Sequence, residues 1–140
     1  MAEFFVSVSE QVMANQITDM VNRYNQWYTK FSVAALFLSQ ASYFVELEGN
    51  RVVACAGLVK EYPTLAKIMH VCVLPEYRNR KLASKLVNMS ATNSGTEHVY
   101  MTVRDDNAAS LKMAKSLGFV PIRTDWFRDH YTHTLGRRST

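Results

Sequence analysis

Four cations crowd together where an apolar run ends: Arg78, Arg80, Lys81 and Lys85 follow Val71-Cys72-Val73-Leu74-Pro75. The run before Pro75 has strand character. The residues after it open an amphipathic helix in which Leu82, Leu86 and Met89 share a face. A helix start exposes backbone N–H groups with no partner in the helix, together with the positive end of the helix dipole. Placed after a strand and ringed by cations, such a start suits phosphate. The residues at this corner, Arg78, Asn79, Arg80, Lys81, Leu82, Ala83 and Ser84, therefore read as a cradle for a diphosphate.

A second block stands later, from Asn107-Ala108-Ala109-Ser110 to Ala114-Lys115-Ser116-Leu117-Gly118-Phe119. The interval between the blocks holds one helix and one strand. The first block resembles motif A of the GNAT acetyltransferase superfamily, in which a strand ending Val-x-Pro-x-x-Arg leads into Arg/Gln-x-x-Gly-x-Gly/Ala. The second is similar to that family's later helix, which begins near an Asn and ends Leu-Gly-Phe. The resemblance runs from the Gly49-Asn50 turn to the C-terminus, about two thirds of the chain, and the N-terminal third fits by element order. Two positions depart from the pattern. Lys81 replaces the first Gly of motif A, which is acceptable if position 81 is already in the helical region. Ala114 stands where the family commonly has a Tyr that protonates the departing thiolate, and alanine has no proton to give.

The resemblance implies acetyl-CoA as cofactor and transfer of its acetyl group to a primary amine, by direct attack in a ternary complex. It implies that backbone N–H groups from Asn79 to Ser84, helped by Arg78 and Arg80, hold the pyrophosphate. It implies that strands at Ala66–Leu74 and His98–Val103 part at their ends, that backbone at Cys72 and Val73 pairs with pantetheine as an added strand, and that Asn107 lies beside the cofactor arm. An amine attacks only when deprotonated. His70, mid-strand near the splay, is the first candidate base; the alternative is a structural strand histidine. Glu61 and Tyr62 are weaker candidates. For the missing acid, Tyr100 stands first, with Tyr131 and Ser110 as alternatives. The family's acceptor pocket lies between the first two helices and the last hairpin. Trp27, Tyr28, Trp126 and Phe127 are its candidate walls, and Asp125 with Asp129 would draw in a cation; core packing and turn capping are the alternatives for these residues. The amine stays open, from polyamines and aminoglycosides to peptide N-termini and lysine side chains. A reading of another class is a non-catalytic coenzyme A-binding or interaction module on the same fold, supported by Ala114 and Lys81.

Composition sets the outer bounds. The 140 residues fit one domain, 1–140, and are 48% hydrophobic and 20% charged, as in a globular chain. A net charge of +4 suits an anionic ligand such as coenzyme A. It would also suit nucleic acid, but Arg137-Arg138 is too short for a binding arm, so no nucleic-acid partner is expected. Cys55 and Cys72 fall in predicted strands without metal-ligand spacing, so buried reduced thiols are expected and a zinc site is not. The start, Met1 to Val6, lacks the pattern of a signal peptide, and the apolar run Val33–Leu38 is too short for a membrane span. A cytoplasmic protein is expected, and pairing of two copies through a sheet edge, frequent in the family, stays open.

The elements that must position these residues follow from period and punctuation. Phe4–Val8 is read as a first strand. A long helix follows, with a capping-box spacing at Ser7 and Glu10 and apolar residues at Met13, Ile17, Met20, Val21 and Tyr24. Phe31–Ser39 is a shorter helix or a buried extended segment. Ala41–Glu48 and Arg51–Val59 are strands joined at Gly49-Asn50. Ala66–Leu74 is a third strand after the turn Glu61–Thr64. A helix from Arg80 or Lys81 to Met89, a strand at His98–Val103 and a helix from Asn107 to Gly118 come next. Phe119–Arg123 and His130–Leu135 are the last strands, joined by Thr124–Asp129, and Gly136–Thr140 is a frayed tail. The order is that of a mixed α/β fold, the GNAT fold of the resemblance, with six to seven strands and helices on both faces.

Overall fold

A computed structural model of the chain describes residues 8–25 and 41–140. Residues 4–7 of the predicted first strand Phe4–Val8, the second helix at 31–39, and Trp27 and Tyr28 lie outside the described residues, as does Ser7 of the capping box; Val8, read as the end of that strand, is instead helical. The described elements are α1 (Val8–Tyr24), β1 (Ser42–Glu48), β2 (Arg51–Tyr62), β3 (Leu65–Val73), α2 (Leu82–Thr92), β4 (His98–Arg104), α3 (Ala108–Ser116), β5 (Val120–Phe127) and β6 (His130–Arg138), with a 3-10 turn at Pro75–Tyr77. The strands form a mixed sheet in the order β1-β2-β3-β4-β6-β5. Every neighbouring pair is antiparallel except β3 with β4. Among the described residues no helix is long and apolar enough to cross a membrane.

The sheet is covered on both faces because its central strands are apolar on both. β2 buries every residue from Val52 to Leu58. Val53 and Cys55 join Tyr43, Val45 and Cys72 beneath the α1 stripe Ala14, Ile17, Met20 and Val21. Ala54 and Ala56 join Ile68, Val99, Met101, Leu135 and Phe119 beneath Leu86, Val87 and Ala91 of α2 and Ala114 of α3. The alternation read from β4 holds: Val99, Met101 and Val103 are buried.

Three boundaries move. The linker predicted at Thr124–Asp129 shrinks to a turn at Arg128-Asp129, because Arg123–Thr134, Thr124–His133, Asp125–Thr132 and Trp126–Tyr131 pair across β5 and β6. Trp126 meets Tyr131 edge to face at 4.9 Å, and a left-handed Arg128 (φ 59°) closes the turn. The tail predicted to fray is tied down: the Ser139 N–H donates to the Glu97 carbonyl at 2.9 Å and its hydroxyl to the Thr96 carbonyl. β6 consequently runs to Arg138, and α2 begins at Leu82.

One irregularity positions the site. Between the pairs Cys55–Cys72 and Gly57–Met69, β3 carries two residues, His70 and Val71, where β2 carries Ala56 alone. His70 takes up the extra length in a left-handed conformation, φ 55°. Such a bulge bends and twists its strand. β3 pairs with β4 only at Leu65–His98, Ala66–Val99 and Lys67–Tyr100, and beyond Lys67 the two strands part. Gly57 serves the same region: a Cβ there would lie 3.0 Å from the Tyr43 ring and 3.1 Å from the Met69 carbonyl.

Candidate functional site

The parted strands leave a cavity of about 650 Å³. Lys67 to Val71 of β3 form one side and Met101 to Arg104 of β4 the other. Asn107, Ser110 and Met113 of α3 close one end, and Phe127 and His130 come from the last hairpin. Tyr24 and Asn25 reach in from the end of α1, where the Asn25 amide donates to the Val71 carbonyl at 3.3 Å.

The cradle lies where β3 turns into α2. The first bond of α2 runs from the Lys85 N–H to the Lys81 carbonyl at 3.0 Å. The N–H groups of Leu82, Ala83 and Ser84 thus have no acceptor within the helix, and the side chain of the N-cap residue, Lys81, does not cap them. The Arg78 Nε donates to the Val73 carbonyl at 3.1 Å, and its guanidinium lies 5.6 Å from the Tyr24 ring. Arg80 stacks on Tyr77 at 4.9 Å. Lys85, one of the four clustered cations, is directed away and pairs with Glu46 at 3.0 Å.

Lys81 is not in the right-handed helical region that would make a non-glycine residue comfortable. It precedes the helix at φ 60°, ψ 25°, a left-handed conformation. That conformation costs a residue with a Cβ roughly 1–2 kcal/mol. Lys81→Gly is expected to raise the melting temperature by about 3 °C, read by differential scanning calorimetry.

The bulge gives His70 a partner the sequence does not show. Its Nδ1 lies 2.6 Å from the Tyr43 hydroxyl, with the rings stacked at 6.0 Å. Burial, reinforced by the charge of Lys67, pulls the imidazole down to about 4. The histidine lines the gap, neutral and held by Tyr43. An unfolded chain takes up a proton near 6.5 that the folded chain refuses until about 4. The associated stability is therefore complete above 6.5 and lost as pH falls towards 4, with an upper bound of about 3 kcal/mol. Thermal melts across this window should show a steeper decline for the wild type than for His70→Asn.

The remaining sequence candidates divide. Asn107 stands at the cavity and caps α3, its Oδ1 accepting the Ser110 N–H at 3.2 Å. Ser110 lines the cavity. Tyr100 sits in the last paired register of β3 and β4, outside the cavity wall, and its hydroxyl donates to Glu61. Burial and that carboxylate push the phenol up to about 12, and the hydroxyl that the sequence offered as an acid is engaged by Glu61. The β3 edge of the gap is Lys67–Val71, just before Cys72 and Val73, and Arg78 already occupies the Val73 carbonyl. Burial pushes the Cys72 thiol up to about 11 and raises Cys55 well above the usual thiol range, which leaves both as thiols. Ala114 is fully buried in the core. Of Asp125, Trp126 and Phe127, Phe127 alone lines the cavity: Asp125 accepts from the Arg123 Nε at 2.8 Å, and Trp126 is exposed.

Sequence reasoning missed His130. Its ring is buried on the cavity wall, with Nδ1 3.0 Å from the Asp129 Oδ1. Nearby, Arg104 grips Asp106 through two bonds of 3.1 Å, which holds that carboxyl below its usual range. An Asp-His pair beside a hairpin looks like turn chemistry in sequence, and only the strand register takes it to the gap.

A family model described as the acetyltransferase (GNAT) family matches residues 9–119, well over half of the chain. The chain belongs to the GNAT acetyltransferase family. No curated protein sequence matches this GNAT chain. Among solved structures it is similar to a putative acetyltransferase, yncA, from Salmonella typhimurium with its cofactor acetyl-CoA, at TM-score 0.77 and 17% identity, over 100% of this chain and 94% of that one. It is similar to an aminoglycoside 6'-N-acetyltransferase complexed with coenzyme A, at TM-score 0.81 and 14% identity, over 100% and 98%. Ard1 from Thermoplasma volcanium gives TM-score 0.79 and 18% identity, over 98% and 96%. Family and fold agree that this GNAT protein is an acetyltransferase.

Proposed function

We propose that the protein transfers the acetyl group of acetyl-CoA to a primary amine by direct attack within a ternary complex. One observation carries the reading: the uncapped N–H groups at the start of α2 stand at the end of β3, the strand that parts from β4 to open the gap. The residues present fit the cofactor. A diphosphate would be held by the amides of Leu82, Ala83 and Ser84, with Arg78 and Arg80 adding charge and the left-handed Asn79 and Lys81 shaping the approach. The backbone edge of β3, here Lys67–Val71 and continuing to Cys72 and Val73, orients an extended arm.

The cofactor supplies an acetyl group activated as a thioester. The protein's share is to bind, align and exclude water. Asn107 and Ser110 stand at one end of the gap, with the Ser110 hydroxyl a candidate proton donor in place of Ala114. Phe127 forms the acceptor side of the cavity, and Trp126 and Asp125 lie on the same hairpin outside its wall. The acceptor is a small-molecule or peptide amine. The solved structures of similar fold include an aminoglycoside 6'-N-acetyltransferase and a spermidine N-acetyltransferase chimera, which supports this reading. Two free, buried cysteines suit a reducing compartment, and cytoplasmic action belongs to the same proposal.

The test is calorimetric titration with coenzyme A, followed by thiol release from acetyl-CoA against polyamines, aminoglycosides and peptide N-termini. Binding and thiol release with at least one amine are expected. Binding without release on any amine would favour the non-catalytic module, the reading that buried Ala114 supports.

A further inference from the structure

The register of the sheet brings a second histidine to the gap. Arg104 of β4 opposes Thr132 of β6, and strand alternation puts residues 132 and 130 on the same face. Thr102 and Arg104 alternate with Met101 and Val103, which are buried on the α2 and α3 side. His130 therefore belongs to the α1 side of the sheet, opposite the face covered by α2 and α3. It is 7% exposed and shares the cavity wall with Phe127 and Arg104.

Its chemistry is set by Asp129, whose Oδ1 lies 3.0 Å from Nδ1. An ionised carboxylate only accepts, so Nδ1 carries the hydrogen and the lone pair of the neutral ring is on Nε2. A histidine with its tautomer fixed by a carboxylate is the arrangement of a general base. The candidate legible in sequence, His70, has the opposite arrangement: the Tyr43 hydroxyl donates to its Nδ1, which uses that lone pair and leaves the ring hydrogen on Nε2. We propose that His130 is the proton acceptor for the incoming amine, with Asp129 as its positioning residue; this rests on the amine-acetylation reading above.

The step balances as follows. A proton passes from the substrate ammonium to the His130 Nε2, and the amine nitrogen attacks the thioester carbonyl. The C–N bond forms and the C–S bond breaks. A second proton from that nitrogen goes to the departing sulfur, and His130 returns its proton to water. Among the described residues, the charged groups on this part of the cavity are Asp129 against the ring and Arg104 and Asp106 from the end of β4, with Lys67 and His70 further along the cavity wall; Arg128 of the same turn lies over the Phe127 ring.

The experiment is the pH profile of kcat and kcat/KM for the wild type, His130→Gln and Asp129→Asn, using acetyl-CoA and the best amine of the panel. His130→Gln should lower kcat about 100-fold and remove the rise in rate on the acidic limb. Its affinity for coenzyme A should stay within about twofold of wild type, as for a group acting on the other reactant. Nitrogen-15 NMR of histidine-labelled protein adds a reading that a merely structural role would not move. The His130 proton should sit on Nδ1 near neutral pH, and Asp129→Asn should return it to Nε2. A kcat within about threefold of wild type in His130→Gln with the acidic limb intact, or a proton on Nε2 in the wild type, would overturn the assignment. An active wild type with an equally active glutamine variant removes His130 alone, whereas a wild type inert towards every amine removes the acetylation reading and the base with it.

Discussion

Ser84→Glu is expected to abolish coenzyme A binding while leaving the protein slightly more stable. Ser84 is the third residue of α2, and its N–H is among the three at that end without an acceptor in the helix. A carboxylate in the first helical turn interacts favourably with the dipole by about 0.3–1 kcal/mol, so the melting temperature should rise by one or two degrees. The same carboxylate would stand where a diphosphate must sit. Each lost charge-assisted bond costs about 1.5–3 kcal/mol, and losing two weakens affinity by at least about 100-fold before any like-charge repulsion is counted. Titration calorimetry and a thermal melt on one preparation check both signs. Unchanged affinity would show that the diphosphate lies elsewhere, and lower stability would show that the helix start is already capped. Ser84→Ala, which adds no charge, should bind almost as the wild type does.

Phe119→Ala is expected to cost about 3–5 kcal/mol. The ring is 2% exposed, in the core cluster with Met101, Val103, Ala114 and Leu135. The Arg137 guanidinium lies 5.4 Å from its centre while donating to the Leu117 carbonyl at 2.7 Å and to the Asn88 side chain at 3.2 Å. Removing the ring thus loosens the joint between α2, α3 and β6. Small domains hold only about 5–15 kcal/mol in total, so a melting temperature lower by roughly 10–20 °C is expected by calorimetry. Because α3 carries Asn107 and Ser110, transfer rate should fall further than coenzyme A affinity. A shift of less than about 3 °C would show that this contact is not central to the core.

The parts of the fold that could be read from sequence are those written in local periods and punctuation. The stripe Ile17, Met20, Val21 gave α1, the alternation Val99, Met101, Val103 gave β4, and Gly49-Asn50 gave a two-residue hairpin, with Gly49 at φ 61°. The glycine after α3 was equally legible, since Gly118 sits at φ 88° where an L side chain is disfavoured. β5 could not be read beyond Arg123. Every residue in it is exposed, so no alternation marks it, and its length is set by cross-strand partners on β6. The bulge was hidden because Met69-His70-Val71 contains no glycine to announce a left-handed residue. The pairing of Tyr43 with His70 joins residues 27 positions apart, and the placement of His130 depends on the register of β4 with β6. Motif spacing located the cradle but not the conformation of Lys81, which depends on how the loop closes onto α2.

That left-handed lysine has a practical bearing on everything above. Its cost is confined to one backbone position outside both hydrophobic cores, so glycine at 81 releases a reserve without disturbing any packed side chain. The Lys81→Gly chain is accordingly the parent of choice for variants that would otherwise sit near the edge of folding, Phe119→Ala first among them.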